Sequence, residues 1–134
     1  MLKINTKIEL FVSDDLELID DNCIKQLDYN DITTIIGVIT DNMIDAVKEQ
    51  DNKLVSICFY IEDGLIHMQF ANSIKESVDL SEIFKSGFST KGPNRGVGLS
   101  LVKNIIEHNK YLDCKPRVVD NFFVQDFTIN YQKS

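Results

Sequence analysis

The sequence lacks a long apolar run and an apolar leader, and each absence removes a class of protein. No stretch of the 134 residues approaches the roughly 20 consecutive apolar residues of a membrane-spanning helix. The first ten residues, MLKINTKIEL, contain no signal-peptide core, so nothing in them indicates export. We therefore expect residues 1–134 to form one cytoplasmic domain with a single core and no membrane contact of its own.

Paired cysteines and an excess of positive charge are also missing. Cys23, Cys58 and Cys114 stand far apart and form no C-x-x-C motif, which disfavours a zinc or redox site. An odd number of cysteines without a leader predicts reduced thiols, most simply three small core residues. The net charge of −7 disfavours binding to nucleic acid.

The charge that is present is unevenly distributed. Residues 9–31 carry eight acidic side chains and one basic side chain, whereas residues 83–106 carry four basic side chains and no acidic one. A positive segment within an acidic domain predicts a small anionic ligand. The alternative is an ordinary solvated run of charge.

The hydrophobic pattern predicts alternating strands and helices. The predicted elements are a strand over Lys3–Val12, a helix capped by Asp31 and ending near Gln50, strands over Leu54–Ile61 and Leu65–Phe70 around a turn at Glu62–Gly64, a helix from about Gly98 to His108 with Leu101, Val102 and Ile105 inward, and two strands around Asp120–Asn121. This order favours an α/β two-layer sandwich, a mixed sheet with helices on one face. The long connection between Ser73 and Arg95 is typical of a lid or binding loop.

The segment FSTKGPNRGVGLSLVKN combines glycines and positive charge just before the second predicted helix. Glycines allow backbone N–H groups to approach a ligand closely, and a helix start favours phosphate. Lys91 and Arg95 would add full charges. The segment matches neither the P-loop nor the dinucleotide fingerprint, and by itself a flexible loop with a helix cap explains it as well.

Asn42 lies at the edge of the apolar stripe of the first predicted helix. On a helical wheel Ile35, Ile39 and Ala46 fall on its apolar side. Its amide oxygen could therefore face a pocket, and such an oxygen suits Mg²⁺. The alternative is a boundary asparagine that hydrogen-bonds a neighbour.

The segments IIGVITDNMIDAV and FKSGFSTKGPNRGVGLSLVKNI together resemble the ATP-binding domain of the GHKL superfamily, which includes gyrase, Hsp90, histidine kinases and MutL. The first resembles the N box, and the second resembles the lid and the last glycine box. The segments TDNMIDA, FSTKG, NRGVGLSLVK and VDNFFVQDFTI most resemble the corresponding segments of AgrC-type sensor kinases, the membrane receptors of peptide quorum sensing. The resemblance extends from about Lys7 to Tyr131 and implies the Bergerat fold.

This resemblance implies an ATP site in which Asn42 holds Mg²⁺ and acts in catalysis together with Lys91. The lid would be anchored by Phe84 and Phe88, and the backbone from Gly96 to Leu99 would bind phosphate. The implied ATP-binding residues are Asn42, Asp45, Asn72, Ile74, Ser89, Thr90, Lys91, Gly92, Arg95, Gly96, Val97, Gly98 and Leu99.

Three positions depart from the wider family. FANSIKE stands where most members have D-x-G-x-G, which leaves Asn72 or Ser73 as polar contacts to adenine and Ile74 as an apolar wall. Val38 stands where hydrolytic members have a glutamate base, so hydrolysis by that route is disfavoured. Asp45 stands where many histidine kinases have lysine, and it could hold a magnesium-bound water.

The expected function is transfer of the ATP γ-phosphate to a histidine on a separate dimerisation hairpin, with a response regulator downstream. His67 and His108 fit that acceptor role poorly. The chain would then be part of a longer membrane-tethered receptor that dimerises only as a whole. The alternatives are a free-standing anti-sigma-factor type of serine kinase and a nucleotide-binding module that has lost catalysis.

Overall fold

The structure, a computed structural model, describes residues 7–14, 16, 28–48, 53–74 and 93–130, with the backbone alone in 93–97. Its elements follow the predicted order. They are β1 (Lys7–Val12), α1 (Tyr29–Val47), β2 (Leu54–Glu62), β3 (Leu65–Ser73), α2 (Pro93–Glu107), β4 (Leu112–Val119) and β5 (Phe122–Ile129). The predicted part of the first strand before Lys7 lies outside the described residues.

The strands form one five-stranded mixed sheet in the order β1-β2-β3-β5-β4. β1 runs parallel to β2, and the other neighbouring pairs are antiparallel. Both helices contribute to a single core on one face of this sheet. The predicted α/β two-layer sandwich is therefore confirmed.

A tight hairpin joins β2 to β3 and sets their register. Asp63 and Gly64 between β2 and β3 have φ values of 55° and 76°, as a type I′ turn requires at both central positions. β3 then continues three residues beyond the predicted end at Phe70, because Asn72 pairs with Phe123 of β5. That extension includes Asn72 and Ser73, the two predicted polar contacts to adenine.

The core lies between the sheet and α1. Ile35 and Ile39 of α1 are fully buried. Phe70 of β3 and Phe127 of β5 lie beneath the helices and meet edge to face, with ring centroids 5.6 Å apart. The 3.6-residue period of α1 and the two-residue period of the strands thus bring their apolar sides together.

The first helix begins one turn earlier than predicted. Asp28, rather than Asp31, is its N-cap, since the Asn30 N–H donates to Asp28 Oδ1 at 2.8 Å. Asp31 lies in the first turn. The periodic apolar residues of α1 begin only at Ile32. They therefore give no signal for the first turn, which precedes them. At the other end α1 stops at Val47, before the predicted Gln50.

The second helix begins at Pro93, about one turn before the predicted start at Gly98. Proline suits a first helical position because its φ is already helical and its missing N–H would have no partner there. The glycine box is consequently part of α2 rather than the loop before it. Val102 and Ile105 are buried as predicted, but Leu101 is 45% exposed and does not belong to the inner face.

The other face of the sheet carries a polar cluster. The rings of Tyr60 and His67 stack with centroids 4.6 Å apart. Asp126 accepts a hydrogen bond from His67 Nδ1 at 3.1 Å, and Arg117 lies 3.8 Å away on its other side. Burial, followed by the charge of Asp126, raises the pKa of Tyr60. Within the part of the chain that the structure describes, no helix is long and apolar enough to cross a membrane.

Candidate functional site

The two sequence segments predicted to form one site meet where α1 crosses α2. A Cβ placed on Gly98 would lie 3.1 Å from Cγ1 of Val38, which is tighter than most carbon–carbon contacts in proteins. No other residue type would leave this crossing undisturbed. The glycine box and the N-box helix are therefore in direct contact through Val38 and Gly98.

Asn42 lies one turn beyond Val38 on the same side of α1. It is half-buried. Its Nδ2 is buried and has no hydrogen-bond partner among the described residues. Rotation of the Asn42 side-chain amide by half a turn exchanges Nδ2 and Oδ1, so the oxygen can occupy the same buried position as a hydrogen-bond acceptor or metal ligand. An unpaired buried amide costs free energy unless a ligand satisfies it, which fits a bound metal ion or its water.

Ala46 extends this surface by another turn. It lies on the apolar side of the wheel near Ile39, yet Ala46 is exposed while Ile39 and Met43 are buried. Ala46 therefore lies at the surface of α1, one turn beyond the half-buried Asn42. The helical wheel alone groups Ala46 with the core, and its exposure shows that the apolar period of α1 does not by itself define the buried face.

The carboxylate of Asp45 forms an ion pair with Lys48. Its side chain is largely buried, and Oδ1 lies 2.8 Å from Nζ of Lys48, three residues further along the chain. Lys48 also donates its backbone N–H to the Asp45 carbonyl at the end of α1. Asp45 thus helps to close the C-terminal turn, where a lysine also complements the helix dipole.

The end of β3 is held by several hydrogen bonds. Asn72 is 3% exposed, and its Nδ2 donates to the Ser73 carbonyl at 3.1 Å. The Ser73 hydroxyl accepts the Leu54 N–H at 3.2 Å. The Ile74 N–H donates to the Asn121 carbonyl at 2.8 Å. Both candidate polar contacts to adenine are therefore buried, and Ile74 is the partly exposed residue of the three.

The remaining predicted ligands belong to the lid and the glycine box. Ser89, Thr90, Lys91 and Gly92, with the lid anchors Phe84 and Phe88, lie outside the described residues. The backbone of Arg95, Gly96 and Val97 runs in the first turns of α2. Leu99, beside Gly98, packs against the core.

Comparisons with known proteins assign the chain to a family. The profile of the GHKL domain matches residues 27–130, and the chain belongs to this family. It is 29% identical over 101 residues to the sensor histidine kinase DcuS of Escherichia coli, a match that covers 70% of this chain and 18% of DcuS. It is 33% identical over 79 residues to the sensor protein CitS of Bacillus subtilis, covering 56% of this chain and 14% of CitS. The chain thus spans under a fifth of the curated relatives it matches.

Solved structures show the same fold. The catalytic domain of histidine kinase ThkA superposes with a TM-score of 0.68 at 19% identity, over 94% of this chain and 78% of that one. The histidine kinase AdeS of Acinetobacter baumannii superposes with a TM-score of 0.69 at 13% identity, over 97% of this chain and 56% of that one. Full-length ShkA, solved in complex with AMPPNP, superposes with a TM-score of 0.68 at 16% identity, over 95% of this chain and 26% of that one.

Proposed function

We propose that this chain is the ATP-binding catalytic domain of a sensor histidine kinase and that residues 1–134 form one domain of a longer receptor. The observation that carries the proposal is the contact between Val38 and Gly98, because it joins the N-box helix to the glycine box. Asn42, with an unpaired buried amide, lies one turn from that contact. In ShkA the same fold is seen with AMPPNP, an ATP analogue.

The nucleotide would lie along the exposed part of α1. The exposed Ala46 side chain would contact an adenine ring, with Ile74 as an apolar wall at the end of β3. Asn72 contributes by keeping β3 extended to this border, since its Nδ2 is bonded to the backbone. An adenine contact by Asn72 would use its Oδ1.

The phosphates would lie between Asn42 and the first turns of α2. Mg²⁺ commonly takes few protein ligands and completes its shell with phosphate oxygens and water. Asn42 is the protein ligand we propose, because its buried side-chain amide has no hydrogen-bond partner among the described residues. The metal neutralises phosphate charge when bound. Ser89, Thr90, Lys91 and Gly92 would hold the phosphates from the lid and Arg95 from the first turn of α2, with Lys91 acting in catalysis.

Val38 favours transfer of the γ-phosphate to a protein side chain over hydrolysis of ATP. An aliphatic side chain packed against Gly98 cannot remove a proton from water. A histidine acceptor is nucleophilic without such a base and requires mainly positioning and charge neutralisation. We place that acceptor on a separate hairpin, since His67 is bonded to Asp126 on the far face of the sheet and His108 lies just beyond the end of α2.

The receptor is proposed to be of the AgrC type, membrane-tethered with this domain in the cytoplasm and with a response regulator downstream. The sequence motifs TDNMIDA and NRGVGLSLVK support this assignment. The similarity to DcuS and CitS supports sensor kinases as a class. Dimerisation through the phosphoacceptor hairpin would belong to the whole receptor.

The test supplies the phosphoacceptor hairpin of the receptor to this chain with γ-labelled ATP and Mg²⁺. We expect acid-labile, base-stable phosphate on the hairpin histidine. The label should disappear with Asn42→Ala and persist with His67→Gln and His108→Gln. Phosphoserine on a protein substrate would favour the serine-kinase alternative. ATP binding without any transfer would favour the module that has lost catalysis.

A further inference from the structure

Gln125 is a polar residue on the apolar side of the sheet. It stands opposite Phe70 of β3 and two residues before Phe127 of β5, and both phenylalanines are fully buried in the core. Because residues two apart on a strand share a face, Gln125 also lies on the side of the sheet that the helices cover. It is 4% exposed. The sheet thus holds an amide where its two-residue period would otherwise place an apolar side chain.

The neighbours of Gln125 on this face offer its amide no partner. Phe70 and Pro116 flank it on the adjoining strands, and Phe123 and Phe127 stand two residues before and after it along β5. None of these four side chains has a hydrogen-bonding group. In the part of the chain that the structure describes, the Gln125 side chain forms no hydrogen bond. A buried amide without a partner costs free energy unless a bound molecule supplies one.

The next residue of β5 is also polar and buried, but it has partners. Asp126 lies on the other face of the sheet, where it accepts a hydrogen bond from His67 and lies 3.8 Å from Arg117. Those contacts account for its burial without a ligand. Gln125 has no comparable contacts among the described residues, so its burial is better explained by a ligand than by folding alone.

Asn72 places a second amide beside Gln125. Asn72 pairs with Phe123, so Gln125 is its diagonal neighbour across β3 and β5. Such neighbours lie about 7–8 Å apart, within reach of each other for long side chains. The Ser73 carbonyl only accepts hydrogen bonds, so the Asn72 atom 3.1 Å from it is the donor Nδ2. This leaves Oδ1, an acceptor, as the Asn72 atom for a ligand, whereas the Gln125 amide can turn to donate.

We propose that Gln125 determines base specificity by binding the Watson–Crick edge of adenine together with Asn72, an inference that rests on the nucleotide site proposed above. The amino group at C6 of adenine donates to Asn72 Oδ1. Gln125 Nε2 donates to the ring nitrogen N1. Adenine carries this donor and this acceptor side by side on one edge, so two amides on adjoining strands can satisfy both.

This arrangement selects adenine over guanine. Guanine has an acceptor oxygen at C6 and a donor N–H at N1, which is the reverse of adenine. Because the Ser73 carbonyl holds the Asn72 amide in one orientation, Asn72 Oδ1 would face the guanine oxygen with no proton between them. A site that leaves buried polar groups unpaired with the wrong ligand rejects that ligand strongly.

The test compares the binding of ATP and of 1-deaza-ATP, in which a C–H group replaces N1, by calorimetry with Mg²⁺. The wild type should bind 1-deaza-ATP about tenfold more weakly, because the Gln125 donor is left unpaired. Gln125→Met keeps the length of the side chain without its amide. This variant should bind ATP about tenfold more weakly than the wild type does and should not distinguish the two nucleotides.

Gln69→Met is the matched control. Gln69 stands opposite Asp126 on the other face of the sheet, so this variant should bind both nucleotides as the wild type does. GTP provides a second comparison, and the wild type should bind it at least about tenfold more weakly than ATP.

Unfolding in urea without nucleotide separates a binding role of Gln125 from a structural one. Gln125→Met removes a buried amide that has no partner among the described residues, so the midpoint of unfolding should stay the same or rise. A lower midpoint would assign Gln125 to folding and overturn the inference. Equal binding of ATP and 1-deaza-ATP by the wild type would overturn the inference but leave the nucleotide site in place. Absence of Mg²⁺-dependent ATP binding by the wild type would overturn the proposed function, and the inference with it.

Discussion

Replacement of Gly98 by alanine tests the helix crossing that defines the candidate site. The added Cβ would lie 3.1 Å from Cγ1 and 3.7 Å from Cγ2 of Val38. Alanine in a helix interior is favoured over glycine by about 1 kcal/mol. Overpacking a tight contact typically costs about 1–3 kcal/mol. We therefore expect Gly98→Ala to leave the free energy of unfolding unchanged or to lower it by up to about 2 kcal/mol.

Gly37 provides the matched control. It lies on α1 and is exposed, and a methyl group added to it would have no atom within 4 Å. Gly37→Ala should raise the free energy of unfolding by about 0.5–1 kcal/mol, since alanine loses less backbone conformational entropy than glycine on folding and the added methyl group makes no clash. The two glycine variants should thus differ by about 1–3 kcal/mol.

Urea unfolding followed by circular dichroism measures these differences. Combining Gly98→Ala with Val38→Ala removes the crowded methyl groups, so the pair should show a favourable coupling of about 1–3 kcal/mol. If Gly98→Ala stabilised the protein as much as Gly37→Ala and showed no coupling to Val38, the helices would not be in tight contact. The N box and the glycine box would then not be joined through this crossing.

Three further predictions concern the cap, the polar cluster and the half-buried thiol of Cys114. Asp28→Ala should lower the free energy of unfolding by about 1 kcal/mol in urea, and an equal loss in Asp31→Ala would contradict the assigned cap. Asp126→Asn should lower the pKa of Tyr60, because it removes a negative charge that opposes the tyrosinate; an unchanged ultraviolet titration would refute this. Partial burial raises the pKa of the Cys114 thiol to about 12, so iodoacetamide at pH 8 should label it much more slowly in the folded chain than after unfolding, and equal labelling rates would contradict the raised pKa.

The fold could be predicted because its main signals are local. The 3.6-residue period of α1, the Asp-Gly turn and the β-branched and aromatic residues of β2 each depend on a few neighbouring positions. The errors have non-local or opposing causes. β3 extends through Asn72 because β5 pairs with it, although alanine, asparagine and serine do not favour strands. α2 begins at Pro93 despite its glycines, and the proline itself is the local signal for that start.

The site could be predicted only in part. Motif and helical position identify Asn42 and the glycine box, and the structure brings their two helices together through Val38 and Gly98. That contact depends on tertiary packing, which no spacing in the sequence encodes. The exposure of Ala46 likewise depends on tertiary packing and not on the helical period. The roles of the lid residues remain predictions, since 75–92 lie outside the described residues.

The most direct measurement is a calorimetric titration of ATP into the chain with and without Mg²⁺. We predict Mg²⁺-dependent binding by the wild type and by Asn30→Ala, an exposed asparagine in the first turn of the same helix. We predict a loss of at least about tenfold in affinity, or about 1.4 kcal/mol, for Asn42→Ala. Unchanged ATP affinity of Asn42→Ala in the presence of Mg²⁺ would contradict the assignment of the N box and, with it, the proposed nucleotide site.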